Sequence, residues 1–484
     1  MEAITSSRMA AIDANCEYLG VKSLQLMENA GASVAASVRK KIKSGKVVII
    51  AGKGNNGGDA FVAARHLVGY ETRVILVGRK EEIKTQGARH NWNVLEKTMI
   101  PLIQVMDSTG FDSTLLKNAD IIIDGIFGTG VKGKIHEPES TVIDIINESD
   151  AFVISVDVPS GFDPDGGEFE KCVHADITLT FHKMKAGMLA PDARQYTGKI
   201  EVVDIGIPVE AEFFVGPGDI EPFQKRPAIS HKGDAGRILV IGGGAYSGAP
   251  ALCALGALRA GADIVTVAAP RNVSDIIASF SPNLIVRSLS SDRLVEDDVP
   301  VISELIKRHD VVVMGMGLGT SDETLSAVRK IIPLCGKAVI DADALRPFII
   351  PLLHKNIIIT PHAGEMKRVS WMDVPKNENE KAEFVKNFAK KNQLNVLLKG
   401  AVDMISDGVE VRANRTGNPG MTVGGTGDVL AGLTGALFAE HDAFEAACAA
   451  AFINGTAGDL AFIEYGFGLL ATDVVDNIPK VMKA

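Results

Sequence analysis

The stretch VVIIAGKGNNGGDAFVAARHLV (47–68) decides the fold class. Five apolar residues without polar alternation suit a strand buried on both faces, and that burial is typical of parallel sheets covered by helices. A glycine loop follows, then a helix-like run. The same alternation recurs along the chain. In the first half the apolar runs lie at 73–78, 119–128, 151–161, 176–181 and 199–206. In the second half they lie at 237–243, 262–270, 310–317, 337–343, 356–364 and 395–400. Strands alternating with helices predict α/β layering. Residues 4–42 read as two amphipathic helices leading into the first strand.

With 484 residues the chain is long enough for two domains. The segment 212–237 holds three prolines within eleven residues and no clear period, so the boundary is expected there. The expected domains are 1–213 and 225–484. Hydrophobic residues make up 46% and charged residues 23%, which excludes a disordered or fibrous chain. A net charge of −10 with 5% aromatics disfavours electrostatic or base-stacking nucleic-acid binding. The five cysteines are widely spaced, without CxxC, which points to a reducing cytoplasm. The uncharged stretch 238–258 carries five glycines and Pro250, which suits strand, loop and helix better than a membrane span.

Gly52, Gly54 and Gly57 satisfy GxGxxG after a strand, so backbone N–H groups and a helix start can face a phosphate. An NAD site would place an acid at the end of the next strand. That strand ends instead in Arg79 and Lys80. A second GxGxxG lies at Gly128, Gly130 and Gly133. Asn55, Asn56, Gly57, Gly58 and Asp59 could be turn and cap chemistry alone. Asp124-Gly125 and Asp157-Val158-Pro159-Ser160-Gly161 end two further strands, and the three oxygen-rich loops together favour a cation and a polar ligand. In the second half, GNPGMTVGGTGDVLAGLTGALFAE (417–440) puts Gly424, Gly425 and Gly427 before Asp428 and a helix. Such a turn is either a plain helix N-cap or a nest for a phosphate in flight, with Asp428 then a candidate base. Lys399-Gly400, the glycines 315, 317 and 319, and His362-Ala363-Gly364-Glu365 end neighbouring strands. No P-loop motif, HExxH or cysteine cluster is present.

LMENAG (26–31), GKGNNGGD (52–59), DGIFGTGVKG (124–133) and VDVPSG (156–161) resemble the epimerase half of the bifunctional NAD(P)H-hydrate repair enzymes. AYSGAPALCALGALRAGADIVTV (245–267), GMGLGT (315–320), DADAL (341–345), TPHAGE (360–365), LLKG (397–400) and NPGMTVGGTGDVLAG (418–432) resemble their dehydratase half. The resemblance implies two three-layer α/β/α domains, Rossmann-like and then ribokinase-like. It implies interconversion of R and S hydrates of NADH and NADPH (NADHX and NADPHX), and dehydration of the S form. Dehydration would be coupled to hydrolysis of ADP, or of ATP; the domain order leans to ADP. By the same match, Asn55, Asn56, Gly57, Gly58, Asp59, Gly128, Thr129, Gly130, Val131, Lys132, Gly133 and Lys134 would line the epimerase site. Asp157 would contact the hydrate there and is the candidate for proton transfer. Asn56, Asp124 and Ser160 would bind K⁺. Ala249, Gly317, His362 and Asp428 would face the hydrate in the dehydratase. Lys399, Gly400, Ala401, Val402, Asp403 and Gly427 would hold the nucleotide, with Mg²⁺ accompanying it. Small-molecule substrates, a homo-oligomer, and no nucleic-acid or membrane partner are expected.

Two other readings compete. A ribokinase-like small-molecule kinase with an accessory dinucleotide-binding domain would release a phosphorylated product, but it leaves the NNGGD and DVPSG loops without a task. A non-catalytic dinucleotide sensor would need neither Asp157 nor Asp428.

Overall fold

The computed structural model describes residues 3–130, 133–167, 169–226 and 229–483. The chain divides into two compact units, Met1–Val209 and Glu210–Ala484. Among the described residues, the first unit carries a seven-stranded sheet. Its order across the sheet is Leu102–Val105, Glu71–Val77, Lys46–Ala51, Ile121–Gly125, Phe152–Val156, Ile177–Phe181 and Lys199–Val203, and every pairing is parallel. The chain starts this sheet near its middle, builds to one edge, then returns to build to the other. The reversal falls between Lys46–Ala51 and Ile121–Gly125. Such a switch point opens a crevice at the strands' C-terminal ends. The two predicted N-terminal helices are Ser6–Tyr18 and Ser23–Lys41. Before them, Ala3–Ile4 forms a short parallel pair with Met184–Lys185.

The second unit carries a nine-stranded sheet among its described residues. Its order is Ile285–Ser288, Ile264–Ala269, Arg237–Ile241, Val311–Met314, Ala338–Ile340, Ile357–Ile359, Asn395–Leu398, Asp403–Ser406 and Val411–Asn414. Burial on both faces is read directly from strand parity. Ile238 and Val240 belong to one core cluster, and Leu239 and Ile241 to the other. Successive side chains of one strand therefore enter opposite helix layers.

The expected parallel pairing holds across most of this sheet and gives way at one edge. Asn395–Leu398, Asp403–Ser406 and Val411–Asn414 pair antiparallel. A four-residue loop cannot carry a parallel crossover, so this edge is a meander. Leu102–Val105 and Ile285–Ser288 also escaped the apolar-run reading. Both are edge strands with partly exposed faces, so neither shows a continuous buried run.

The proline-rich stretch after residue 210 contributes to the second unit. Val215 N–H donates to Ala413 O, and Arg412 forms a two-pronged ion pair with Asp219, both contacts at 2.9 Å. Both side chains of that pair are almost fully buried. Helix Ala443–Tyr465 is long and apolar enough to cross a membrane, yet 72% of its apolar window is buried inside the protein. Its alanine-rich face belongs to the core. All five cysteines are buried and none is in a disulfide.

Candidate functional site

In the first unit the glycine loop is tighter than a surface turn. A Cβ on Gly52 would meet Ile126 O at 1.9 Å, and one on Gly57 would meet Gly52 O at 2.0 Å. Only glycine lets the loops after the two central strands touch here. The helix begins at Asn55, so residues 55–58 form its first turn rather than a turn ahead of it. Gly58 N–H makes the first bond of the helix, to Gly54 O at 3.2 Å, so the N–H groups of Asn55, Asn56 and Gly57 ahead of it can face an anion. Asn56 Nδ2 donates to Phe127 O and Val156 O, both at 2.8 Å, which ties the loop to both neighbouring strand ends. Gly128 lies against the Asn56 side chain. Val131 and Lys132 lie outside the described residues. Lys134 lines a cleft of about 340 Å³ with His136, Glu137, Ser140, Glu170 and Lys171.

Asp124 is fully buried at the end of its strand. Ser155 Oγ donates to it at 2.7 Å, Ser160 N–H at 2.9 Å, and Ser160 Oγ also donates. Loss of hydration pushes its carboxyl up, and the serine hydrogen bonds oppose that. Among the described residues no positively charged side chain contributes. Asp124, Asn56 and Ser160 are thereby brought together.

Asp157 has φ +63, a left-handed backbone that Asp tolerates better than most residues. Its Oδ1 accepts from Lys185 Nζ at 2.6 Å, from Phe181 N–H at 3.0 Å and from Thr180 Oγ1 at 3.3 Å. Lys185 is fully buried. Its ammonium also donates to Thr180 Oγ1 and Phe181 O. Two more carboxylates lie within electrostatic range of this pair. Asp59 is buried on helix Asn55–His66, and its carboxyl is held well above the usual range, first by burial, then by Asp157 and Asp13. Asp13, on helix Ser6–Tyr18, rises to about 6, first through lost hydration and next through Asp157, against the pull of Lys185. The sequence reading missed Asp13 and Lys185. Nothing in their local motifs distinguishes them, because the pairing of Ile4 with Lys185 spans nearly the whole unit.

In the second unit five strand ends converge. Gly317 has φ +68, and a Cβ there would lie 3.7 Å from Ala249 Cβ. Both follow the switch-point strands, Arg237–Ile241 and Val311–Met314. His362 caps helix Ala363–Ser370, its Nδ1 accepting from Gly364 N–H at 3.0 Å and Glu365 N–H at 3.3 Å. Lys399 N–H donates to Pro361 O at 2.8 Å, which puts Lys399 beside His362. The Lys399 side chain does not simply snorkel to solvent. Its Nζ sits 2.8 Å from Asp341 Oδ1, and Asp341 is buried. A Cβ on Gly427 would lie 3.3 Å from that ammonium.

Helix Thr426–Glu440 starts after Gly425, whose φ of +104 suits glycine. Asp428 stands in its first turn. A helix start would normally favour the carboxylate form. Yet the Asp428 carboxyl is pushed up to about 7, chiefly by lost hydration and next by Asp341; Lys399 opposes, and Asp343 and Glu365 add to the rise. A carboxyl there can accept a proton at neutral pH, beside backbone donors that can hold an anion. Asp403 is placed differently from a ligand-facing side chain. One oxygen accepts from Gly400 N–H at 2.9 Å and the other from Asn414 Nδ2 at 3.0 Å. Its carboxylate shapes the loop 399–403.

Comparison with known proteins follows this division of the chain. A family model described as NAD(P)H-hydrate dehydratase matches residues 238–480, and one described as YjeF-related protein N-terminus matches 23–187. The bifunctional NAD(P)H-hydrate repair enzyme Nnr of Archaeoglobus fulgidus is 47% identical over all of this chain and 99% of its own length. The chain belongs to the bifunctional NAD(P)H-hydrate repair enzyme family. Another member of that family, from Pyrobaculum aerophilum, is 45% identical over all of this chain and 98% of its own. The family match carries both an epimerase and a dehydratase half. A hypothetical protein of Streptococcus mutans superposes with a TM-score of 0.50 at 28% identity, covering 56% of this chain and 98% of its own. A ribokinase-like superfamily protein of Enterococcus faecalis, 22% identical, covers 56% of this chain and 95% of its own at the same TM-score. The fold class is two α/β units, the dehydratase half ribokinase-like.

Proposed function

We propose that the first unit interconverts the R and S hydrates of NADH and NADPH, and that the second removes water from the S hydrate with ADP as phosphoryl donor. The observation that carries this is Asp428, a carboxyl near neutrality in the first turn of a helix, with the Lys399–Asp341 ion pair beside it. Hydroxide leaves poorly and phosphate leaves well. Asp428 takes the proton of the hydrate's hydroxyl as that oxygen accepts a phosphoryl group. Gly427, the free N–H groups of the helix start and Lys399 steady the negative charge in transit. Phosphate then leaves with its C–O electron pair, the neighbouring ring carbon gives up a proton to water, the dihydropyridine C=C is restored, and AMP is released. Ala249, Gly317 and His362 bound the hydrate. Residues 399–402 hold the nucleotide, with Asp403 shaping their loop. Among the described residues no three His, Cys, Asp or Glu side chains form a metal cluster. Mg²⁺ would therefore enter on the nucleotide's phosphates and water, and no residue is assigned to it.

In the first unit, residues 55–59 and the loop 128–134 would cradle the dinucleotide. Asp157 would contact the hydrated ring and is the candidate for proton transfer there, its Oδ1 held by Lys185 Nζ at 2.6 Å. The Asp124 pocket suits a monovalent cation: one buried carboxylate, serine and amide oxygens, and no protein cation among the described residues. Asn56, Asp124 and Ser160 would hold K⁺, which would supply positive charge beside the substrate loop. Saturation to a hundred times its Kd should stabilise the first unit by about 2.7 kcal/mol. A thermal scan with and without K⁺ reads this, and Asp124→Asn should abolish the response.

Dehydration should depend on pH through Asp428. Its carboxyl lies at about 7 against an ordinary 3.8, so it is protonated below that point and charged above it. The kcat/KM of dehydration should fall about tenfold per pH unit on the acid side of about 7. Lys399 lowers the Asp428 carboxyl, so Lys399→Met should move this limb upward. A limb near the ordinary carboxylate range would count against Asp428 as the base.

The deciding experiment supplies an R/S mixture of hydrated NADH with Mg²⁺, K⁺ and either ADP or ATP. Recovered NADH absorbance and released phosphate are followed together. Full recovery is expected. Recovery of the S fraction alone would remove the epimerase from the reading. A stable phosphorylated product with no NADH would favour a kinase.

A further inference from the structure

Lys399 opens the nucleotide loop 399–403, yet its ammonium lies elsewhere. Its backbone is fixed beside His362, after strand Asn395–Leu398, by Lys399 N–H donating to Pro361 O at 2.8 Å. Its Nζ stands 2.8 Å from Asp341 Oδ1, and Asp341 follows strand Ala338–Ile340. Strand Ile357–Ile359 lies between those two strands. Two strand spacings are about 10 Å, so the long lysine stem is drawn across the end of the intervening strand. There the ammonium is 3.3 Å from where a Cβ on Gly427 would sit, in the first turn of helix Thr426–Glu440. The same turn carries Asp428.

Asp341 is a firm anchor for that ammonium. Its N–H donates to Met314 O at 2.9 Å, and its O accepts from Ala344 N–H at 3.2 Å. A Cβ on Gly315 would stand 1.8 Å from Asp341 O, so the neighbouring loop closes on this backbone with no room for a side chain. Only 3% of the Asp341 side chain and 19% of the Lys399 side chain are exposed, so water screens the pair far less than at a surface. Burial alone would make the Lys399 ammonium easier to deprotonate. Asp341 first, then Glu365 and Asp428, overcome that and hold it above its ordinary value.

We propose that Asp341 is a positioning residue for dehydration: it draws the Lys399 ammonium off the nucleotide loop and fixes it at the first turn of helix Thr426–Glu440, against the phosphoryl group in transit. This rests on the dehydratase reading of the second unit. The bond between the β-phosphorus of ADP and its bridging oxygen breaks, and the electron pair stays on AMP. The hydrate's oxygen forms the new P–O bond, and its proton goes to Asp428. The Lys399 ammonium and Gly427 meet the charge on the transferring oxygens. The Lys399 side chain then acts on the rate of transfer, while the backbone of residues 399–402 binds the nucleotide.

The test uses the full chain with S hydrate of NADH, Mg²⁺ and ADP, and reads kcat and the KM for ADP separately at a pH above the acid limb. Asp341→Asn keeps the shape and removes the anchor, so kcat should fall about 100-fold with the KM for ADP little changed. Lys399→Met should show the same split. The double variant should be no slower than Lys399→Met alone, because the anchor then has nothing to hold. Asp341→Glu, which keeps a carboxyl on the same loop, should recover part of the rate. The acid limb gives a readout that a folding defect would not. Asp341 raises the Asp428 carboxyl more than Lys399 lowers it, so Asp341→Asn should move the limb down from about 7. Asp343 and Glu365 also act on Asp428, and the buried Cys253 thiol of helix Gly248–Arg259 lies within range of it; all three stay in place. A raised KM for ADP with kcat unchanged, in either single variant, would overturn the proposal. So would Asp341→Asn slowing Lys399→Met as much as it slows the wild type. A wild-type chain that restores no NADH would instead overturn the dehydratase reading itself.

Discussion

Asp428→Ala should slow nucleotide-dependent dehydration of the S hydrate by about 1,000-fold or more, with epimerisation by the same chain untouched. A positioned base alone contributes about 100- to 10,000-fold. Asp428 is well suited to the task because its environment pulls in two directions. The helix start, with its free N–H groups, favours a negative charge. Lost hydration and the nearby Asp341, Asp343 and Glu365 disfavour it more strongly, while Lys399 holds the rise to about 7. The result is a carboxyl that can both take and release a proton at neutral pH. Asp428→Asn keeps the shape and removes the base, so it should be nearly as slow as the alanine variant. Recovery of NADH absorbance and phosphate release should fail together. Either variant retaining a tenth of wild-type turnover would exclude Asp428 as the base.

Lys185→Met should stop epimerisation and destabilise the first unit by about 3 kcal/mol. Lys185 is fully buried and pairs with Asp157 at 2.6 Å. Removing one member of a buried pair strands the other charge, at a cost of about 3–5 kcal/mol. Asp157 keeps some exposure, 14% of its side chain, which places the cost at the low end. It also sits in a left-handed backbone, held there by contacts that include this one. Thermal scanning of the full chain reads the stability change. An unshifted first-unit transition with normal epimerisation would remove the pair from any part in the site.

Much of the architecture was written in local residue patterns. Val47–Ala51, Val311–Met314 and Ile357–Ile359 are unbroken apolar runs because helices cover both faces of their sheets, and such runs read as buried parallel strands on sight. Loops after central strands announced themselves through glycine, since backbones that touch, as Gly52 does Ile126, exclude a Cβ. Edge strands were not legible. Leu102–Val105 and Ile285–Ser288 bury too little to carry a signal, and the hairpin Asp403–Ser406 with Val411–Asn414 follows from chain length between strands rather than composition.

The sequence by itself determined two α/β units, the family, and which loops stand at the strand ends, because each of those follows from residues adjacent in the chain. Tertiary structure alone decided the electrostatics. Asp341 beside Lys399, Glu365 within range of Asp428, and Asp13 and Asp59 around Asp157 and Lys185 join segments tens to hundreds of residues apart. A carboxyl's affinity for its proton depends on burial and on charges a few ångströms away, and those distances exist only once the strands have taken their order in the sheet.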